Sequence, residues 1–262
     1  MTGGWVRQDQ GEGSVLEEAI SRARDLLEKR GLLDAPVSVS VSLLSAEEAT
    51  GTRGRRDFPV MLGRERVIEA DLLGTKAHVF TDAPREFEGV LGNLFATTPS
   101  SSGDRALLVA ALNAALKRLG LIWGVRHCRG EEPEACASEI TGIVRAYWGN
   151  TSVGLVGLNP ALLESLVARF GSQNVRAIDL SRGNVGTTRW GVEIGDGMTD
   201  TEKLVQFSDI VLITGTTIVN GSLDAILGLI RRYHKGYLVY GVTVAGVSHL
   251  MDLPRICPYG KG

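Results

Sequence analysis

Hydrophobic and polar positions change rhythm about half-way along the chain. Residues 1–13 are polar and Gly-rich and read as a loose tail. Ser14 then opens a helix: Glu17 stands three residues on, the spacing of a capping box, and Val15, Leu16, Ala19, Ile20, Ala23, Leu26 and Leu27 share one face before Gly31. Residues 37–43 alternate Val and Ser and end on Leu43, a period of two and the pattern of a strand with one wet face in an antiparallel sheet. Residues 66–72 and 76–81 read as further strands with Gly74 between them. A Ser/Thr/Pro/Gly loop at 97–103 precedes a strong helix that starts at Asp104, runs over 105–119 and is closed by Gly120. Helix, strands and then helices make an α+β first half.

The second half alternates instead. Strands are expected at 152–156, 175–180, 209–214 and 237–242. Between them lie helices at 160–170, 201–207 and 222–233, the first opened by Asn159-Pro160. Runs such as Ile210-Val211-Leu212-Ile213 are apolar throughout, as strands covered on both faces are. The stretch 183–197 carries five glycines and reads as a long loop, a lid or wall for a ligand. The alternation predicts a parallel, Rossmann-like sheet. The expected organisation is therefore α/β overall, with an α+β domain over 14–148 and a Rossmann-like domain over 149–262, joined near Gly149-Asn150.

Composition narrows the classes. The 262 residues are 44% hydrophobic and 22% charged, enough to bury a core, and the 33 glycines show no triplet period. The net charge is −2 and is spread evenly, at −3 for 1–150 and +1 for 151–262, so no nucleic-acid partner is expected. Three cysteines build no disulfide framework and suit a reducing compartment. With no apolar signal core and no uninterrupted apolar span, the expectation is a cytoplasmic chain with no membrane partner; a homo-oligomer stays open.

Five places could carry chemistry. After the strand at 152–156, the turn at Gly157 puts Asn159 where a dinucleotide fingerprint has its second glycine. It suits a pyrophosphate poorly and reads equally as an Asn-capped helix start. Asp179 ends the next strand 22 residues on, the place of a ribose-binding acid, and Asp is also a common loop opener. Thr214, Gly215, Thr216 and Asn220 lie in a loop beyond an apolar strand, with more small polar groups than a cap needs. His127-Cys128, followed by Glu131-Glu132-Pro133-Glu134 and Cys136, combines imidazole, thiol and carboxylates at a helix start. Such a set could ligate a soft or borderline metal, although its spacing matches no zinc knuckle. There the helix dipole and the carboxylates oppose each other, so the Cys128 thiol is expected to have near-ordinary acidity. Cys257 sits in a rigid chain end near two prolines, and Arg53, Arg55 and Arg56 form a small solvated basic turn. His78, His234 and His249 read as structural.

These segments together carry a resemblance. His127-Cys128…Glu132-Pro133…Cys136, Thr214-Gly215-Thr216…Val219-Asn220-Gly221, Tyr240-Gly241-Val242-Thr243…Gly246 and Arg255…Cys257-Pro258-Tyr259-Gly260 resemble the heavy-metal chelation family of prokaryotes. The resemblance implies an enolase-N-terminal-like first domain, a Rossmann-like second domain and a site in the cleft between them. Carried onto this chain, it implies His127, Cys128 and Glu132 from the first domain and Thr214, Gly215, Thr216, Asn220 and Cys257 from the second. The leading expectation is a protein that handles a transition metal or a metal–ligand complex in that cleft. His127, Cys128 and Cys257 would be the metal ligands, and His127 or Glu132 a proton acceptor if metal insertion is catalysed. The alternatives are an enzyme using a nucleotide-type cofactor, S-adenosylmethionine or NAD, held by Gly157, Asn159 and Asp179, and a non-catalytic metal carrier or sensor.

Overall fold

The computed structural model describes residues 13–42, 57–58 and 65–262. The tail at 1–12 and the basic turn Arg53, Arg55, Arg56 lie outside the described residues. The chain is an α/β protein built on two sheets, as the pattern of alternation predicts.

The first sheet is antiparallel. It contains β1 (Pro36–Ser42), β2 (Arg66–Leu72), β3 (Thr75–Thr81) and β4 (Phe87–Val90), in the order β3-β2-β1-β4. Val37 and Val39 are buried while Ser38 and Ser40 face water, so the Val/Ser alternation is an inside/outside alternation. β2 and β3 close on a two-residue turn, Leu73-Gly74, with both residues at positive φ and Asp71 Oδ1 accepting from the Gly74 N–H. Helix α1 (Val15–Glu28) has the expected capping box, and a short α2 (Leu91–Phe95) follows β4. Helix α3 (Ser102–Arg118) begins two residues before Asp104: Ser101 is the cap, and its hydroxyl accepts from the Asp104 N–H.

The second sheet has seven strands. They are β5 (Val153–Val156), β6 (Val175–Asp179), β7 (Thr188–Arg189), β8 (Val192–Asp196), β9 (Ile210–Thr214), β10 (Gly236–Tyr240) and β11 (Arg255–Ile256). Their order is β11-β10-β9-β5-β6-β8-β7, all parallel except the two-residue β7 at the edge. Counting the parallel strands along the chain, this is the doubly wound order 3-2-1-4-5-6, and the winding reverses between β5 and β9. Along the chain the helices are α4 (Glu132–Trp148), α5 (Pro160–Phe170), α6 (Thr201–Phe207), α7 (Thr217–Asn220), α8 (Leu223–Arg232) and α9 (Ala245–Leu250).

One expectation is corrected here. The glycine-rich stretch 183–197 is not one long loop or lid, because it contains β7 and the interior strand β8, and only its two ends, at Asn184 and Gly197, supply wall to the cavity beyond the carboxyl ends of β5 and β9. Trp190 and Gly191, both at positive φ, make the two-residue turn between them, and Val192 and Ile194 are buried on either side of an exposed Glu193. Five glycines conceal that short alternation from a reading by composition.

Two cores cover the parallel sheet. Val153, Leu155, Ile210 and Leu212 face α4 and α5, while Val156, Val211 and Ile213 face the other way. On that second side the core runs without a break into the antiparallel sheet, through α3. Residues 106–116 of α3 are buried on every side, as a helix between two sheets must be. Asn113 fixes the arrangement: its amide donates to the carbonyls of Val242 and Thr243, and its oxygen accepts from the Gly246 N–H. No helix among the described residues is long and apolar enough to cross a membrane.

Candidate functional site

A cavity of about 470 Å³ opens where the winding reverses, beyond the carboxyl ends of β5 and β9. This is where open α/β sheets bind ligands, and the size suits a small organic molecule. One wall comes from the first sheet, through Phe80 and Asp82 at the end of β3.

The turn after β5 needs glycine. Gly157 has φ +84°, and a Cβ there would lie 2.5 Å from Thr214 Cγ2, so the turn after β5 approaches the end of β9 too closely for a side chain. Its carbonyl accepts from the Tyr240 hydroxyl at 3.2 Å. Asn159 caps α5, its Oδ1 accepting from the Leu162 N–H at 3.1 Å, and Pro160 fills the first helical position. Asp179 accepts three hydrogen bonds, from Leu158 N–H (2.7 Å), Ser181 N–H (2.7 Å) and Asn184 Nδ2 (3.2 Å). It therefore ties the turns after β5 and β6 together, and most of its acceptor capacity is engaged.

The Thr214–Asn220 loop, which includes α7, forms the opposite wall. Gly215 N–H donates to the Tyr240 carbonyl, and the Thr214 and Thr216 hydroxyls are 3.2 Å apart. Asn220 Oδ1 accepts from the backbone N–H and hydroxyl of Ser222, and the Val219 carbonyl accepts from Arg105 Nε of α3.

The third wall is the His127-Cys128 segment. His78, buried on β3, anchors it: its backbone N–H donates to the Val125 carbonyl, its Nδ1 accepts from the His127 backbone N–H (3.2 Å), and its Nε2 meets Glu69 at 3.0 Å. Burial holds His78 below the usual histidine range, so it acts as a neutral acceptor here. The His127 ring sits edge-on to Phe80, and its Nδ1 is 3.7 Å from Cys128 Sγ. The chain end closes over this segment. The Arg255 side chain donates to the carbonyls of Gly241, Trp123 and Gly124, and Arg126 and Lys261 exchange backbone hydrogen bonds. This brings Cys257 to the same cavity as Cys128 and Cys136.

Of the residues singled out from the sequence, Gly157, Asn159, Asp179, Thr214, Gly215, Thr216, Asn220, His127, Cys128 and Cys257 all line the cavity; Glu132 does not. Its carboxylate accepts from the Arg129 N–H and pairs with Lys261. The Arg129 hydrogen bond, then Lys261, holds its pKa below the usual carboxylate range. Such a carboxylate is a poor proton acceptor. The expected acidity of Cys128 is also corrected: burial, then the neighbouring Cys136 and Cys257 thiols and Glu132, pushes it up to about 12. The helix dipole is outweighed because the thiol is buried. Burial likewise pushes Cys136 up to about 12. Among the described residues, no group of three or more His, Cys, Asp or Glu side chains is placed to hold a metal ion.

The sequence reading passed over Glu65 and Asp82, which also line the cavity. Asp82 ends a strand, a positional signal that was available. Glu65 stands between Arg64 and Arg66 and looks like part of a solvated charged run.

Part of the chain matches a known protein family. Residues 145–252 match the DUF364 family, described as "Putative heavy-metal chelation". The resemblance read from the sequence is borne out over that stretch. Two solved structures of DUF364-family proteins of unknown function share the fold. The one from Pyrococcus horikoshii has a TM-score of 0.53 at 15% identity, over 88% of this chain and 80% of that chain. The one from Desulfitobacterium hafniense has a TM-score of 0.50 at 14% identity, over 91% of this chain and 83% of that chain. No curated protein matches the chain.

Proposed function

We propose that this protein handles a transition-metal ion as a complex with a small organic ligand, held in the cavity between the two sheets. One observation carries the reading: His127 Nδ1 and Cys128 Sγ are 3.7 Å apart. Two ligands on one tetrahedral ion, at metal–sulfur and metal–nitrogen distances of about 2.3 and 2.0–2.1 Å, stand about 3.6 Å from each other. A two-donor set leaves about half of a four-coordinate shell open. The cavity has room for an organic molecule to fill those positions, and the small polar groups of the Thr214–Asn220 loop suit its recognition. The description of the DUF364 family points the same way. Because the thiol is held protonated, uptake must release a proton and strengthens as pH rises.

The test uses Co²⁺ with the neutral two-nitrogen chelator 2,2′-bipyridine, added to protein purified without oxygen or chelator. The expected result is a thiolate-to-cobalt absorption band that bipyridine strengthens and that Cys128→Ser and His127→Ala remove. No band with or without bipyridine, or a band unaffected by Cys128→Ser, sinks the proposal. The doubly wound strand order favours a second reading, a nucleotide-type ligand such as S-adenosylmethionine or NAD. Its expected ribose contact, Asp179, is already occupied by the protein's own donors. Saturable binding of either compound by a protein that takes up no cobalt would favour it.

A further inference from the structure

We infer that the organic ligand of this cavity carries a protonated amine, received by Glu65 and Asp82 beside Asp179. This rests on reading the cavity as the ligand site and adds the charge of the ligand. Three carboxylates reach the cavity from three separate elements: Glu65 from the entry to β2, Asp82 from the end of β3 and Asp179 from the end of β6. Among the described lining residues there is no lysine and no arginine to balance them. Asp179 is engaged by the turns after β5 and β6, but neither the Glu65 nor the Asp82 carboxylate hydrogen-bonds or ion-pairs with another described residue. Glu65 is half-buried, and Asp82 stands at the exposed rim.

A desolvated carboxylate is stabilised by its proton or by a counter-charge, and no described lining residue supplies the latter, so a ligand ammonium facing this wall is favoured. Burial, then Asp179, then Asp82 raises the Glu65 pKa to about 7, in keeping with the lack of a positive partner among the described lining residues. Aromatic rings complete the wall: Phe58, Phe80 and Tyr240 all line the cavity, and ring faces attract cations. The same charges repel phosphates, and the turn at 157–159 lacks the glycine that lets a pyrophosphate approach. A cationic ligand therefore fits this cavity better than a dinucleotide. An amine also suits a metal complex, since one nitrogen can hold the ion while another, protonated, meets the carboxylates.

The experiment titrates metal-free protein with cationic probes (putrescine, spermidine, agmatine), anionic probes (glutarate, adenosine monophosphate) and the neutral probe 1,4-butanediol. Binding is followed by calorimetry. The expected result is binding of at least one cation and of neither anion. Glu65→Gln should weaken that cation about tenfold and Asp82→Asn about threefold, with circular dichroism showing both variants folded. Preference for an anion, no cation binding better than butanediol, or unchanged cation binding in folded Glu65→Gln overturns the inference. The cobalt–bipyridine assay separates this outcome from the metal reading, because bipyridine carries no ammonium. Cobalt uptake without cation binding removes this inference alone, and cation binding without cobalt uptake removes the metal reading.

Discussion

Glu65 and Cys128 both have ionisation set by burial, and both lead to measurable consequences. A carboxyl group whose pKa in the fold exceeds its unfolded value binds its proton more tightly when folded. Its contribution to stability is complete below the ordinary carboxylate range and is lost as pH rises toward about 7, the value for Glu65. Among the described residues, the facing groups, Asp179, Asp82 and the buried Tyr240 phenol, add no positive charge that would offset this. Glu65→Gln should therefore be more stable than the native protein by roughly 1–3 kcal/mol at pH 8 and nearly equal to it at pH 4.5, as read from urea unfolding. A difference that does not change with pH would contradict the burial argument. For Cys128, a thiol near 12 leaves little thiolate at neutral pH. Iodoacetamide should modify Cys128 in the metal-free protein about 10²–10³-fold more slowly than a free thiol at pH 8. Peptide mass spectrometry reads this directly, and labelling as fast as free cysteine would refute it.

At the scale of elements, the β5–α5 turn sets one edge of the cavity by backbone geometry. Gly157→Ala forces a side chain into positive φ and against Thr214, and should cost roughly 2 kcal/mol or more. Asn159→Ala removes a cap only and should cost about 1 kcal/mol. Urea denaturation of the two variants checks the order, and equal losses would mean the close approach to Thr214 is relaxed cheaply. The first strand, the β2–β3 hairpin and the α1 capping box were legible because each depends on neighbours in sequence. Strand β8 was not: its burial alternation is three residues long and lies among glycines that also occur in mobile loops.

The whole molecule is organised by α3. Its buried length joins the antiparallel sheet to one face of the parallel sheet in a continuous core, and Asn113 bolts it to the 242–246 segment. A shared core couples both sheets, so thermal unfolding should show one transition by far-UV circular dichroism and tryptophan fluorescence alike. Asn113→Ala strands three buried backbone partners and should cost about 2–4 kcal/mol without splitting that transition. Two resolved transitions in the native protein would show that the sheets unfold independently.

The apolar periods determined most strands of the two sheets and most helices, and Ser, Asn, Pro and Gly at their ends marked where many of those begin and stop, because these are forces between residues a few positions apart. The cavity residues in the turn after β5 and the loop after β9 were legible for the same reason: small polar groups after an apolar strand mark its carboxyl end. Only the tertiary structure decided which ends meet. Cys257 reaches Cys128 because Arg255 bonds to a carbonyl 131 residues away, and Glu65, Asp82 and Asp179 converge from three elements with no common spacing. Glu132 fell on the other side of that division, since its partner Lys261 arrives from the far end of the chain. Local pattern carries no record of such contacts: they follow from strand order and helix packing, and the desolvation that sets the pKa values of Glu65 and Cys128 exists only once those surfaces have closed.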